Sequence, residues 1–176
     1  MNVIVRATSW EATTGMLFIG AQRYDCTLGR GGVTLDKKEG DGATPVGTYS
    51  FRQLIYRADR MAQPETGLPV DILTPDTGWC EDPSHADYNK KVMLPHPAVC
   101  DRMTRDDHLY DMTVVIGYND DPVVAGKGSA IFMHLAREEW TPTAGCVGLK
   151  HADLLAVLKQ LTPDSLITIL PPPDQP

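Results

Sequence analysis

Two side chains in this sequence have the types and spacing of a nucleophile and its base. His134 follows the apolar run Ala130–Met133, and Cys146 follows Gly145 twelve residues later in SAIFMHLAREEWTPTAGCVGL. A thiol attacks carbonyl carbon as thiolate, and a neighbouring imidazole can take its proton. The apolar run reads as a buried strand ending on His134, so a sheet would fix the imidazole. Gly145 lets the backbone approach closely, and amides around Gly145–Cys146 could donate to a developing oxyanion. Val147 and Leu149 would anchor the turn, and a helix beginning near Lys150–Asp153 would lower the thiol pKa if its N-terminus faced Cys146. A lone cysteine is nonetheless among the most buried of residues and is more often inert.

The elements that must position these groups are mostly strands. Val3–Ala7 alternates, and Met16–Gly20 with Gln22–Leu28 reads as a hairpin. Thr48–Ile55, Val92–Leu94, Tyr110–Tyr118, Ala130–Met133 and Ser165–Leu170 read as further strands. Gly29–Gly47 is glycine-rich with little apolar periodicity, so it reads as an ordered loop. It lacks the lysine ending and the glycine spacing of phosphate-binding motifs. Tyr56–Lys91 is long, irregular and interrupted by prolines, and Arg102–Leu109 reads as a helical turn. Ala152–Leu161 is the one strongly periodic helix, with Leu154, Leu155, Leu158 and Leu161 on one face and Pro163 as its stop. The fold expected is a mainly β sandwich or barrel with one or two peripheral helices. It would form one domain over residues 1–170, followed by a proline-rich tail over 171–176.

Composition narrows the partners. The 176 residues carry a net charge of -7, which argues against nucleic acid as the main partner. No run approaches the roughly 20 apolar residues of a membrane span, and the N-terminal residues do not read as a signal peptide. The four cysteines, Cys26, Cys80, Cys100 and Cys146, form no CxxC pair, so a zinc ribbon is not expected. A Cys80–Cys100 bridge is left open. Cys80 with Glu81, Asp82 and His85 is a weak metal-type cluster. His85, His96, His108 and His151 read as surface histidines, because none has metal-ligand spacing.

The segment FMHLAREEWTPTAGCVGL resembles the active-site signature of the L,D-transpeptidase catalytic domain (YkuD-like) family. That signature is a strand-borne histidine, a loop, then Ser/Thr-His-Gly-Cys and an apolar residue. His134, Thr143, Gly145 and Cys146 occupy the matching positions. LGRGGVTLDKKEGDGATPVGTYSF and LYDMTVVIGYNDDPVVAGKGSAIFMH resemble the upstream family segments, so the likeness runs from Leu28 to Leu161. Three departures stand out: Ala144 replaces the motif histidine, Gly148 replaces a common Arg or Asn, and the loop before Cys146 is short.

The resemblance implies that Cys146, activated by His134, attacks the carbonyl of the third residue of a peptidoglycan stem peptide. D-alanine leaves, and an amine resolves the thioester; water as acceptor would make the enzyme an L,D-carboxypeptidase or amide hydrolase. A non-catalytic wall-binding module is the remaining alternative. The resemblance also implies a stem-peptide partner, no metal or cofactor and a periplasmic or cell-envelope location, and leaves the oligomeric state open. Arg30 is expected to bind a stem carboxylate. Thr143 would lie near the thiolate or brace the loop. Tyr118 and Asn119 end a strand near the cleft, although Asn119 equally suits a turn. Trp79 could form a pocket wall or serve as a half-buried core residue.

Overall fold

The computed structural model describes residues 1–173; Asp174–Pro176, the end of the expected proline-rich tail, lie outside the described residues. Strands dominate. In chain order they are β1 (Val3–Ala7), β2 (Thr14–Ile19), β3 (Gln22–Thr27), β4 (Val33–Thr34), β5 (Thr44–Pro45), β6 (Gly47–Tyr56) and β7 (Val70–Ile72). Then come β8 (Thr77–Cys80), β9 (Lys91–Met93), β10 (Cys100–Arg102), β11 (Met112–Ile116), β12 (Phe132–Leu135) and β13 (Val147–Leu149). The helix α1 (His151–Leu158) precedes β14 (Leu166–Leu170).

The main sheet curls into a barrel in the order β11-β12-β13-β3-β2-β1-β14-β6, and β6 closes it by pairing β11 as well. The length of β6 makes this closure geometrically simple. Its first half pairs β14 and its second half pairs β11, while β7 adds to it in parallel. Closure leaves few free edges, which limits unwanted strand pairing.

Strand alternation sorts side chains to the two faces of the barrel wall. Met112, Val114, Met133, Leu135, Val147 and Leu149 join the large interior cluster. Leu154, Val157, Leu158 and Leu161 enter the same cluster, so α1 and the turn after it seal the core. The opposite face of β11 and β12 is also apolar. There Val115 and Phe132 pack with Ile55, Leu73, Trp79, Met103 and Cys146. This second cluster is covered by the connection from β6 to β11, in which β8 is flanked by β9 and β10 in a small antiparallel sheet. That sheet is called the flap below.

Several local expectations are corrected. His134 lies inside β12 rather than at its end, with Leu135 continuing the strand. Val147–Leu149 is a strand, because parallel pairing with β12 satisfies its backbone. Residues 103–109 form no helix; the run is held by side-chain contacts such as Arg105 to Asp107 at 2.8 Å. The irregular stretch after β6 contains β7 and β8. Val157, not Leu155, completes the buried helix face. Cys146 lies before β13 and α1 begins beyond the far end of that strand, about 3.3 Å of rise per residue away. The helix end is therefore too distant for its dipole, which fades within a turn, to activate the thiol.

Leu154 is fully buried at the centre of the helix contact. Leu154→Ala is expected to lower unfolding stability by about 2–5 kcal/mol. Urea denaturation would read this as a lower midpoint with an unchanged slope.

Candidate active site

The parallel pairing of β12 with β13 sets His134 opposite Gly148 and Met133 opposite Val147. One residue earlier, Cys146 therefore falls beside Phe132. In-register neighbours share a face, so Cys146, Phe132 and His134 all point outward, toward the flap. The Phe132 amide donates to Cys146 Sγ at 3.3 Å, and the thiol donates to the Ala130 carbonyl at 3.3 Å.

His134 is fixed in one tautomer. Its Nδ1 lies 2.8 Å from the Leu135 carbonyl oxygen, which can only accept, so Nδ1 carries the proton. Nε2 is left with a free lone pair, the form that a base requires. The Tyr110 ring packs edge-on against His134, with centroids 5.2 Å apart.

Burial keeps this pair neutral at rest. Desolvation pushes the Cys146 thiol up to about 12, against a smaller lowering by the Phe132 amide and Lys37. Burial pushes His134 down to about 4. A neutral thiol and a neutral imidazole on the same cavity wall can exchange a proton as carbon–sulfur bond formation proceeds, once the thiol leaves the Ala130 carbonyl.

The turn before Cys146 is built from interlocked loops. Thr143 exchanges backbone bonds with Leu28 and Arg30, at 2.9 and 2.8 Å. Gly145 has φ +124°, and a Cβ there would sit 2.8 Å from the Ala43 carbonyl oxygen. Both features require glycine. The Thr143 hydroxyl donates to the Cys146 carbonyl at 2.7 Å and accepts from the Gly145 amide at 3.1 Å. The Gly145 amide is thus already engaged, whereas the Cys146 amide has no hydrogen-bond partner among the described residues.

Cys146 and His134 open into a cavity of about 410 Å³. Arg30, Thr143 and Ala144 lie on its wall with them. Arg30 is exposed and its guanidinium makes no ion pair among the described residues. Tyr118, Asn119 and Trp79 are not on this wall. Tyr118 donates its hydroxyl to the Lys127 carbonyl, and Asn119 braces the following turn through Val124 and Gly128. Trp79 stands behind the cysteine, packed edge-on against Phe132 at 4.9 Å.

Sequence spacing alone did not reveal the flap's contribution. Glu81 and Asp101, brought in by β8 and β10, line the same cavity with Glu39 and Arg105. Burial, then Asp101 and Glu39, raise the Glu81 carboxyl to about 7. Burial also raises Asp101, opposed by Arg105. The buried Thr27 hydroxyl on the cavity wall has no partner among the described residues. A Cβ at Gly148 would meet that hydroxyl at 2.2 Å, so a larger residue there would require Thr27 to shift.

A fold that seats a cysteine and a strand histidine on one cavity wall has a family counterpart. The family model for the L,D-transpeptidase catalytic domain (YkuD) matches residues 13–169. The chain belongs to the L,D-transpeptidase catalytic domain family. No curated protein and no solved structure gives a significant match. The matched residues of this L,D-transpeptidase domain include the whole flap, α1 and every strand of the barrel except β1 and the last residue of β14. No helix of the L,D-transpeptidase domain is long and apolar enough to cross a membrane.

Cys80, Glu81, Asp82 and His85, the weak metal-type grouping in the sequence, do not assemble as one cluster among the described residues. Glu81 faces the cavity, and Asp82 accepts from the Ser84 amide and hydroxyl. His108 and His151 are exposed as expected, whereas His85 and His96 are half-buried against each other.

Glu81 also has a stability signature. Its carboxyl is raised in the fold, so its contribution is fully present below the unfolded value of 4.5 and is lost as pH rises through about 7. Glu81→Gln stays neutral throughout. Thermal melts should show little difference between variant and wild type near pH 4.5, and a growing advantage for the variant toward about pH 8. An equal difference at both ends would contradict the assignment.

Proposed function

We propose that this L,D-transpeptidase family member acts through Cys146 on peptidoglycan stem peptides. The observation that carries the reading is that Cys146 and a tautomer-fixed His134 line one cavity wall with Arg30, which makes no ion pair among the described residues. Cys146 Sγ attacks the carbonyl carbon of the third stem residue while its proton passes to His134 Nε2. The Cys146 amide donates to the oxyanion at the carbonyl oxygen, the Gly145 turn fixing its direction. His134 then returns the proton to the leaving nitrogen, D-alanine departs and a thioester remains. Arg30 binds a stem carboxylate, and Thr143 holds the turn through its two hydrogen bonds. Tyr118, Asn119 and Trp79 serve as supports of the cavity rather than as substrate contacts.

The thioester is resolved by an amine, giving a 3→3 cross-link or an exchanged terminus. The acidic wall of Glu39, Glu81 and Asp101 suits an incoming ammonium group. Hydrolysis is the second reading, favoured by one observation. Glu81, with a carboxyl titrating at about 7, could deprotonate a water in the same cavity. Such substrates would place the protein in the cell envelope or wherever stem peptides are released.

Intact-mass spectrometry after carbapenem treatment should show a covalent adduct on wild type and none on Cys146→Ala. An unmodified wild type, or an adduct elsewhere, would count heavily against Cys146 as the nucleophile. Incubation with a tetrapeptide muropeptide should yield dimer or exchange products; D-alanine release alone would select the hydrolase. In either case His134→Ala should slow turnover by about 10²–10⁴-fold.

A further inference from the structure

The reverse of the flap holds a second group of reactive side chains. Cys80 and Cys100 face each other across β8 and β10, and both are free thiols. Glu81 N–H bonds the Val99 carbonyl at 3.0 Å, so the flanking pair takes the ladder bond. Cys80 and Cys100 are thus a non-hydrogen-bonded pair, in which side chains approach closely. The connection from β9 to β10 adds His96, whose Nδ1 lies 3.4 Å from Cys100 Sγ. The ligand atoms of Cys80, His96 and Cys100 all fall within 4.8 Å of one another.

The histidine is presented with Nδ1, the nitrogen nearer the thiols, unprotonated. His96 Nε2 lies 3.1 Å from Asp87 Oδ2, and a carboxylate can only accept, so Nε2 carries the proton. The Ala98 amide donates to Nδ1 at 3.2 Å, which agrees with a lone pair there. A carboxylate on the far nitrogen is how metal-binding histidines are commonly oriented. His85 packs edge-on against His96 at 4.9 Å and lies 3.7 Å from the same carboxylate.

We propose that Cys80, His96 Nδ1 and Cys100 bind one zinc-class divalent ion, with Asp87 orienting His96. Two thiolates and an imidazole match the ligand preference of such an ion. Tetrahedral zinc separates sulfur and nitrogen ligands by about 3.5–3.8 Å, and the observed 3.4 Å contact needs little adjustment. Binding converts both thiols to thiolates and releases two protons to solvent. Three protein ligands leave the fourth position to water, since His96 and Cys100 are only half-buried. A disulfide would use neither His96 nor Asp87. Side chains alternate along strands, so Glu81 and Asp101 project from the opposite face to Cys80 and Cys100. The ion would pin the back of the strands whose front supplies the acidic cavity wall.

The test uses the full chain, purified under reducing conditions, stripped with a chelator and titrated with Co²⁺ and then Zn²⁺. Wild type should bind one equivalent of Co²⁺ with thiolate charge-transfer and tetrahedral d–d absorption, both displaced by Zn²⁺. Zn²⁺ should also raise its melting temperature. His96→Ala and Cys100→Ser should lose these signals, and Asp87→Asn should bind about 10–100-fold more weakly. Cys146→Ala should bind normally. The proposal is overturned by a wild type without the thiolate band, by unchanged binding in His96→Ala, or by loss in Cys146→Ala. Formation of a Cys80–Cys100 bridge in a reduced chain that takes up no ion would overturn it as well. The wild-type spectrum decides even if a variant fails to fold.

Discussion

Parallel pairing of β12 with β13 is the constraint from which the site follows. It fixes which residues of two distant segments share a face, and a one-residue slip would turn either the histidine or the cysteine into the barrel. The inward residues on both strands, Met133, Leu135, Val147 and Leu149, hold that register because each is buried in the main core. The packing that stabilises the barrel is therefore also what keeps Cys146 and His134 on its outer wall.

That wall would be of little use exposed to water. The flap makes it a chemical environment, because its strands cover the outward cluster and surround the thiol with apolar groups. Burial raises the thiol and lowers the imidazole, so the resting pair is uncharged. The resting thiol is also directed at the Ala130 carbonyl rather than left free. A buried, un-ionised thiol of this kind is protected from unwanted oxidation.

The glycine-rich segment has a structural purpose beyond flexibility. It threads between β3 and β6 so that Leu28 and Arg30 bond Thr143, and Ala43 approaches Gly145 too closely for any side chain. The turn bearing Cys146 is thus set by a loop more than 100 residues earlier. This long-range support also delivers Arg30 to the cavity.

Much of this protein is readable in its sequence. The alternating runs Val3–Ala7 and Ser165–Leu170, the early hairpin and the leucine-rich helix carry their own periodicity, so their structural type needs no partner to be recognised. The residues proposed as nucleophile and base are also legible, as a thiol after glycine and an imidazole after an apolar run. What the sequence could not determine is each strand's partner. β13 is three residues long and is a strand only because β12 and β3 bond it on either side. The apolar run before His134 gave no sign that the strand continues through Leu135. Glu81, Asp101 and the Cys80–Cys100 pair are brought together by cross-strand register, and His96 by the loop from β9 to β10, so the grouping depends on contacts between segments. Tertiary structure alone decided which charges share the cavity with the cysteine, because burial and neighbours are properties of the assembled fold rather than of the chain.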